Sequence, residues 1–129
     1  MLIDQTLLDS LTGRAKSSPR LRMNCDLRNS ADDHSQRMLN AIEPGTVLPI
    51  HRHRESSETV VMLRGNGRWN YYDDHGNLTE TFVLSSDGDL RGLSVPQGQW
   101  HNAESLETGT VILECKDGKW KALGEEDVM

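Results

Sequence analysis

Two histidines one residue apart, His51 and His53, followed by Glu58, are the residues of this chain best suited to chemistry. They lie in the stretch from Gly45 to Gly65, which reads as two β-strands joined by the polar turn Arg54-Glu55-Ser56-Ser57. Side chains of an extended strand alternate between faces with period two. His51 and His53 are therefore expected on one side, with Arg52 and Arg54 on the other, and the turn brings Glu58 back opposite the pair. Imidazole and carboxylate donors converging on one point suit a divalent transition metal, and zinc, iron, manganese and nickel all accept that donor set. Open coordination positions on such a metal let a substrate with adjacent oxygens chelate; the metal then polarises a carbonyl, stabilises an enediolate or activates oxygen. A His-x-His pair alone is common on exposed strands. The carboxylate in register and the bracketing glycines make this one specific.

The spacing Gly45-x5-His51-x-His53-x4-Glu58-x6-Gly65 resembles the first motif of the cupin superfamily at every fixed position. Pro96-x-Gly98-x2-His101 resembles the core of the second motif. The resemblance implies an all-β fold, the cupin double-stranded β-helix or jelly-roll barrel, with a short N-terminal α-helix. It also implies one divalent metal held by His51, His53, Glu58 and His101. Two positions depart from the pattern: Leu90, between Gly88 and Gly92, stands where a glycine is expected, and Ser105 where an asparagine is often found. The segments Pro19-Arg20-Leu21-Arg22, Gln36-Arg37, Pro49 to His53 and Glu114 to Gly118 are similar to WbuC-type cupins, a small bacterial group, although Arg28 stands where that group usually has histidine. This narrower likeness implies a setting in surface-polysaccharide metabolism and leaves the substrate open.

Around these residues the chain is expected to form a single cupin domain over 1–129. Ile3, Leu7, Leu8 and Leu11 fall at helical spacing with Asp4 as N-cap and Gly13 as a stop, which predicts a helix over 3–12. The barrel is expected over 20–118, as many short strands separated by turns rich in Asp, Gly and Asn. Residues 119–129 read as a charged tail without structure of its own. His34 and His75 sit in polar loops and read as solvated side chains.

Composition excludes several functions. The formal net charge of −6 argues against a nucleic-acid or anionic-membrane surface. No apolar run approaches the ~18 residues that cross a bilayer. Asp4 and Asp9 interrupt the apolar residues of the N-terminus, which lacks a basic region and does not read as a signal peptide. Cys25 and Cys115 belong to no Cys-x-x-Cys pair, so reduced thiols and a cytoplasmic location are expected.

Beyond the metal shell, Glu114 interrupts the apolar strand Thr110 to Cys115. A buried carboxylate needs a partner, and an inward Glu114 is a candidate catalytic general base beside the metal. Arg20, Arg22 and Asn24 lie at period two and are candidate substrate-binding residues, as is Tyr71. Three functions fit. The first is a metal-dependent enzyme, an isomerase, epimerase or oxygenase, acting on a small oxygenated ligand such as a sugar or nucleotide-sugar. The second is a non-catalytic metal-bearing binding or sensing module. The third is a metal-free epimerase, against which the complete ligand set argues. Exposed strand edges and the amphipathic helix predict a two-fold homodimer.

Overall fold

The computed structural model describes residues 1–129. Its one α-helix, α1, runs from Gln5 to Ser17, and the Asp4 side chain caps it by accepting from Leu7 N at 3.0 Å. The helix continues five residues beyond the predicted 3–12. A glycine inside a helix costs only about 0.5–1 kcal/mol, and Gly13 is followed by Ala15, which is fully buried beside Leu8 and Leu11. Packing thus carries the helix through the glycine. It ends at Ser18, whose extended backbone is what the following Pro19 requires. Ile3 stays outside the helix and exposed.

Eight strands follow: β1 (Arg22–Asp26), β2 (Ser35–Ile42), β3 (Glu58–Arg64), β4 (Asn66–Tyr72), β5 (Leu78–Ser85), β6 (Gly92–Val95), β7 (Trp100–Ser105) and β8 (Val111–Asp117). They form two antiparallel sheets, one ordered β1-β2-β8-β3-β6 and the other β5-β4-β7. This is an all-β, two-sheet jelly roll with one short helix.

The larger sheet is covered on both faces, which explains why β8 is apolar on both. Val111 joins Leu39, Ala41 and the helix in one core, while Ile112 joins Ile42, Val60, Trp69 and Leu84 in the barrel interior. Period two then places Glu114 and Lys116 on the interior face with Ile112. In the same way Asn40 shares the interior face of β2 with Ile42. Two close approaches set the sheet geometry. A Cβ on Gly92 would lie 2.4 Å from Val60 O, so β6 reaches β3 only through glycine. Gly65, at φ +90°, passes Thr110 in the same manner.

Three sequence expectations are corrected here. The segment before β3 is not a regular strand: of residues 43–57 only His51 makes β-bridges, to His101 and to Val128. The polar row does not begin at Arg20, because Leu21 has a left-handed backbone (φ 56°) and the strand starts at Arg22. Leu21 is held there by its carbonyl, which accepts from Glu43 N and Thr46 Oγ1. Finally, the 119–129 stretch is not wholly without structure: its last residues are ordered against the histidine segment. A 3-10 turn over Glu125–Asp127 leads into Val128, and the segment pairs with the backbone of residues 50–52.

Candidate metal centre

His51 is held between two chain segments. Its N–H donates to His101 O at 3.0 Å and its carbonyl accepts from His101 N at 2.8 Å, so the two residues form a narrow antiparallel pair. On the other side, Met129 N donates to Ile50 O at 2.8 Å and Arg52 N to Asp127 O at 3.0 Å. The short extended piece around His51 therefore extends the smaller sheet past β7, with the C-terminal segment as its outer neighbour. His53 is fixed through the turn that precedes β7. Gly98 N donates to His53 O at 2.8 Å, and Gln99 N closes the turn on Pro96 O. Gly98 occupies the third turn position with φ +80°, where a side chain would be strained.

These constraints bring the three imidazoles together. The ligand nitrogens of His51, His53 and His101 lie within 4.8 Å of one another, with ring centroids 4.3–5.6 Å apart. Two tautomers follow from the hydrogen bonds. His51 Nδ1 donates to Pro49 O at 2.9 Å and His101 Nδ1 to Gln99 O at 2.8 Å. Each leaves an Nε2 lone pair directed away from that carbonyl, the arrangement in which histidine binds metals. Burial pushes the His51 pKa down to about 4, helped by the charges of His101 and His53. The ring is therefore neutral at pH 7, as a ligand must be.

Glu58 sits at the start of β3, buried, with Oε2 3.2 Å from His53 Nε2 and 3.4 Å from His101 Nε2. That oxygen is buried without a hydrogen-bond donor. Burial raises the Glu58 pKa, but His101, His53 and the charge of Lys116 outweigh it and hold the group well below its ordinary value. A buried, ionised carboxylate beside three converging imidazoles is a donor set that suits a cation. The residues present therefore fit a divalent metal held by His51, His53, His101 and Glu58.

The centre lies on the wall of a cavity of about 300 Å³. Glu114 lines this cavity, and its Oε1 accepts from Asn40 Nδ2 at 3.1 Å. Burial pushes its pKa up to about 7, and the Glu58 charge adds to the rise. Two neighbouring carboxyls thus differ, one held ionised and one poised near neutrality, a pattern that separates ligand from acid/base roles.

Of the sequence-predicted substrate residues, Arg22 and Asn24 line the cavity and Arg20 does not. Tyr71 is a further correction. It is buried in the barrel core, edge-on to Phe82 with ring centroids 5.1 Å apart, and does not line the cavity. Its β4 neighbour in phase, Trp69, does. Arg28 is bound to Asp26 on the far end of β1 and takes no part.

Sequence reasoning missed several wall residues, among them Lys116, Asn40, Trp120 and Leu123. Lys116, with Nζ 3.5 Å from His53 Nε2, is two residues from Glu114 on one strand and was legible once Glu114 is taken to face inward. Asn40 was legible in the same way from Ile42. Trp120 and Leu123 belong to the C-terminal segment and line the cavity; nothing in their spacing pointed there.

A family model described as a domain of unknown function, DUF6016, matches residues 3–84. The chain belongs to this family. Among curated proteins none matches. Solved structures supply the fold. The capsular polysaccharide assembling protein CapF from Staphylococcus aureus aligns with a TM-score of 0.66 and 19% identity, over 87% of this chain and 32% of CapF. KdgF from Halomonas sp. aligns with a TM-score of 0.62 and 16% identity, over 80% of this chain and 84% of KdgF. An oxalate oxidase in complex with glycolate aligns with a TM-score of 0.64 and 13% identity, covering 82% and 55%. The chain spans only about a third of CapF. These neighbours are cupins, so this DUF6016 protein has the cupin fold.

Proposed function

We propose that this DUF6016 protein is a metal-dependent enzyme acting on a small oxygenated compound of the sugar class. The observation that carries the reading is the orphaned Glu58 Oε2 among three converging imidazoles, on the wall of a cavity that also holds Glu114. His51, His53, His101 and Glu58 would hold the metal, which when bound supplies a Lewis acid for adjacent substrate oxygens. The chain's own residues do the rest. Asn40 donates to Glu114 and fixes the carboxyl on the wall, where it takes or returns a proton at Oε2 or Oε1 near neutral pH. Lys116 places a cation beside Glu58 and His53, balancing the buried carboxylate. Trp120 and Leu123 add apolar surface to the cavity lining.

A cavity of about 300 Å³ is at the small end of ligand pockets, which span about 300–1,000 Å³, and suits one sugar ring better than a nucleotide-sugar. The likeness to CapF, a capsular polysaccharide assembling protein, and the WbuC-like segments support a place in surface-polysaccharide metabolism. Elemental analysis of the purified protein, followed by turnover assays on single sugars with the parent and Glu114→Gln, tests the reading. One metal per chain with turnover lost in Glu114→Gln is the expected result. One metal per chain with ligand binding but no turnover would instead make the protein a binding module, and no metal at all would overturn the reading.

A further inference from the structure

We propose that the ligand of this cavity is a small hydroxylated anion whose acidic end is held by Arg22. The proposal deepens the functional reading above, on which it rests for the metal but not for the anion contact. Three cationic side chains line the cavity: Arg22, Arg37 and Lys116. Two of them are already engaged. Arg37 Nη1 donates to Ser35 O at 2.8 Å and lies 3.3 Å from Asp33 Oδ2. Lys116 Nζ lies 3.5 Å from His53 Nε2, and its charge acts on Glu58.

Arg22 is different. It is partly buried at the first residue of β1, and its guanidinium has neither a hydrogen bond nor an ion pair. Glu114 attracts it only through space, beyond ion-pair distance, while Arg20 repels it. A partly desolvated arginine beside a second arginine is unfavourable until a counter-charge arrives. The planar guanidinium fork matches a carboxylate or a phosphate through two parallel hydrogen bonds. The metal centre and Glu114 line the same cavity and suit hydroxyl or carbonyl oxygens. One ligand spanning both carries hydroxyls at one end and an anionic group at the other.

Three matched probes separate the alternatives: glycerate carries a carboxylate, glycerol 3-phosphate a phosphate, and glycerol no charge. Binding to the metal-loaded chain is followed by NMR titration of the tryptophan indole N–H signals, one of which belongs to Trp120 on the cavity wall. The expected result is that glycerate or glycerol 3-phosphate binds at least about tenfold tighter than glycerol, with the better of the two naming the anion. Arg22→Gln should remove that preference while metal content stays unchanged, and Arg22→Lys should restore part of it. Equal binding of all three probes, or an anion preference that survives Arg22→Gln, overturns the proposal. Absence of binding by every probe at tens of millimolar overturns it too. Repeating the titration after chelation distinguishes the two readings. If the parent protein holds no metal but keeps an Arg22-dependent anion preference, only the enzyme reading fails. If the metal is present and no such preference appears, only the anion site fails.

Discussion

The two walls of the cavity are built differently. One is made of strand: Asn40 on β2, Glu114 and Lys116 on β8 and Glu58 on β3 occupy adjacent strands in fixed antiparallel register, Met38 opposite Glu114 and Glu58 opposite Lys116. The other is made of chain with little regular structure. His51 and His53 lie in the segment between β2 and β3 and are held by backbone bonds to β7, to the Pro96–Gly98 turn and to the C-terminal segment. The strand wall carries the carboxyl poised for proton transfer and the charges that tune it. The looser wall carries two of the three imidazoles. Acid/base geometry therefore depends on the sheet, whereas the placing of two of the four metal ligands depends on a few backbone bonds outside the regular strands.

Four substitutions test that division. The largest effect is expected from His53→Ala, which removes a ligand from the looser wall. Metal affinity should fall by at least about 100-fold while the fold persists; mass spectrometry showing full occupancy would disprove the assignment. Next comes Gly92→Ala, which strikes the strand wall. The added Cβ would lie 2.4 Å from Val60 O, and separating β6 from β3 should cost about 2–4 kcal/mol in denaturant unfolding. If stability is unchanged, the close approach is not a constraint.

Glu114→Gln comes third and depends on pH. The Glu114 carboxyl is raised from 4.5 to about 7 in the folded protein, so the folded state binds its proton more tightly than the unfolded state. Burial then costs nothing below about pH 4.5, grows between 4.5 and 7, and is complete above 7. The variant should match the metal-free parent near pH 4.5 and exceed it in stability by on the order of 2–3 kcal/mol above pH 7. A constant difference across that window would mean that the carboxyl is not strained by burial.

The smallest effect is expected from Asp127→Asn. Asp127 lies 3.1 Å from Arg52 Nε and 2.6 Å from Arg54 Nε, joining the C-terminal segment to the histidine segment. Its loss should lower stability only slightly and weaken metal binding about tenfold. Calorimetric titration showing unchanged metal affinity would mean that the C-terminal segment covers the site without positioning it.

The same division explains what could be read from the sequence. The strand wall was legible in part: Glu58 followed from its spacing and an inward Glu114 from the cost of a buried carboxylate, whereas the phase of β8, apolar on both faces, could not be read locally and Lys116 and Asn40 were missed with it. The histidine pair was legible through its spacing, although the regular strand expected around it is absent. What could not be read was contact between distant, irregular pieces. Trp120 and Leu123 lie in a stretch with no periodicity, and their place on the cavity wall depends on backbone bonds that join Asp127 and Met129 to a loop nearly eighty residues earlier. Arg20 was misplaced by a single left-handed residue, Leu21, whose conformation depends on a carbonyl that Glu43 and Thr46 share. Tyr71 was ambiguous because both faces of β4 bear large side chains, and only the closed barrel shows which face is dry.

The bond from Met129 N to Ile50 O also bears on how the protein is handled. Any polypeptide fused after Met129 leaves the fold next to the residue that precedes His51. A polyhistidine purification tag at that end would deliver extra imidazoles to the mouth of a three-imidazole centre, where they compete for the same cation and add to the apparent stoichiometry. Met1 and Leu2, by contrast, are 84% and 80% exposed ahead of a helix that packs against β1 and β2. Affinity handles belong at that end, removed by protease before any metal is counted.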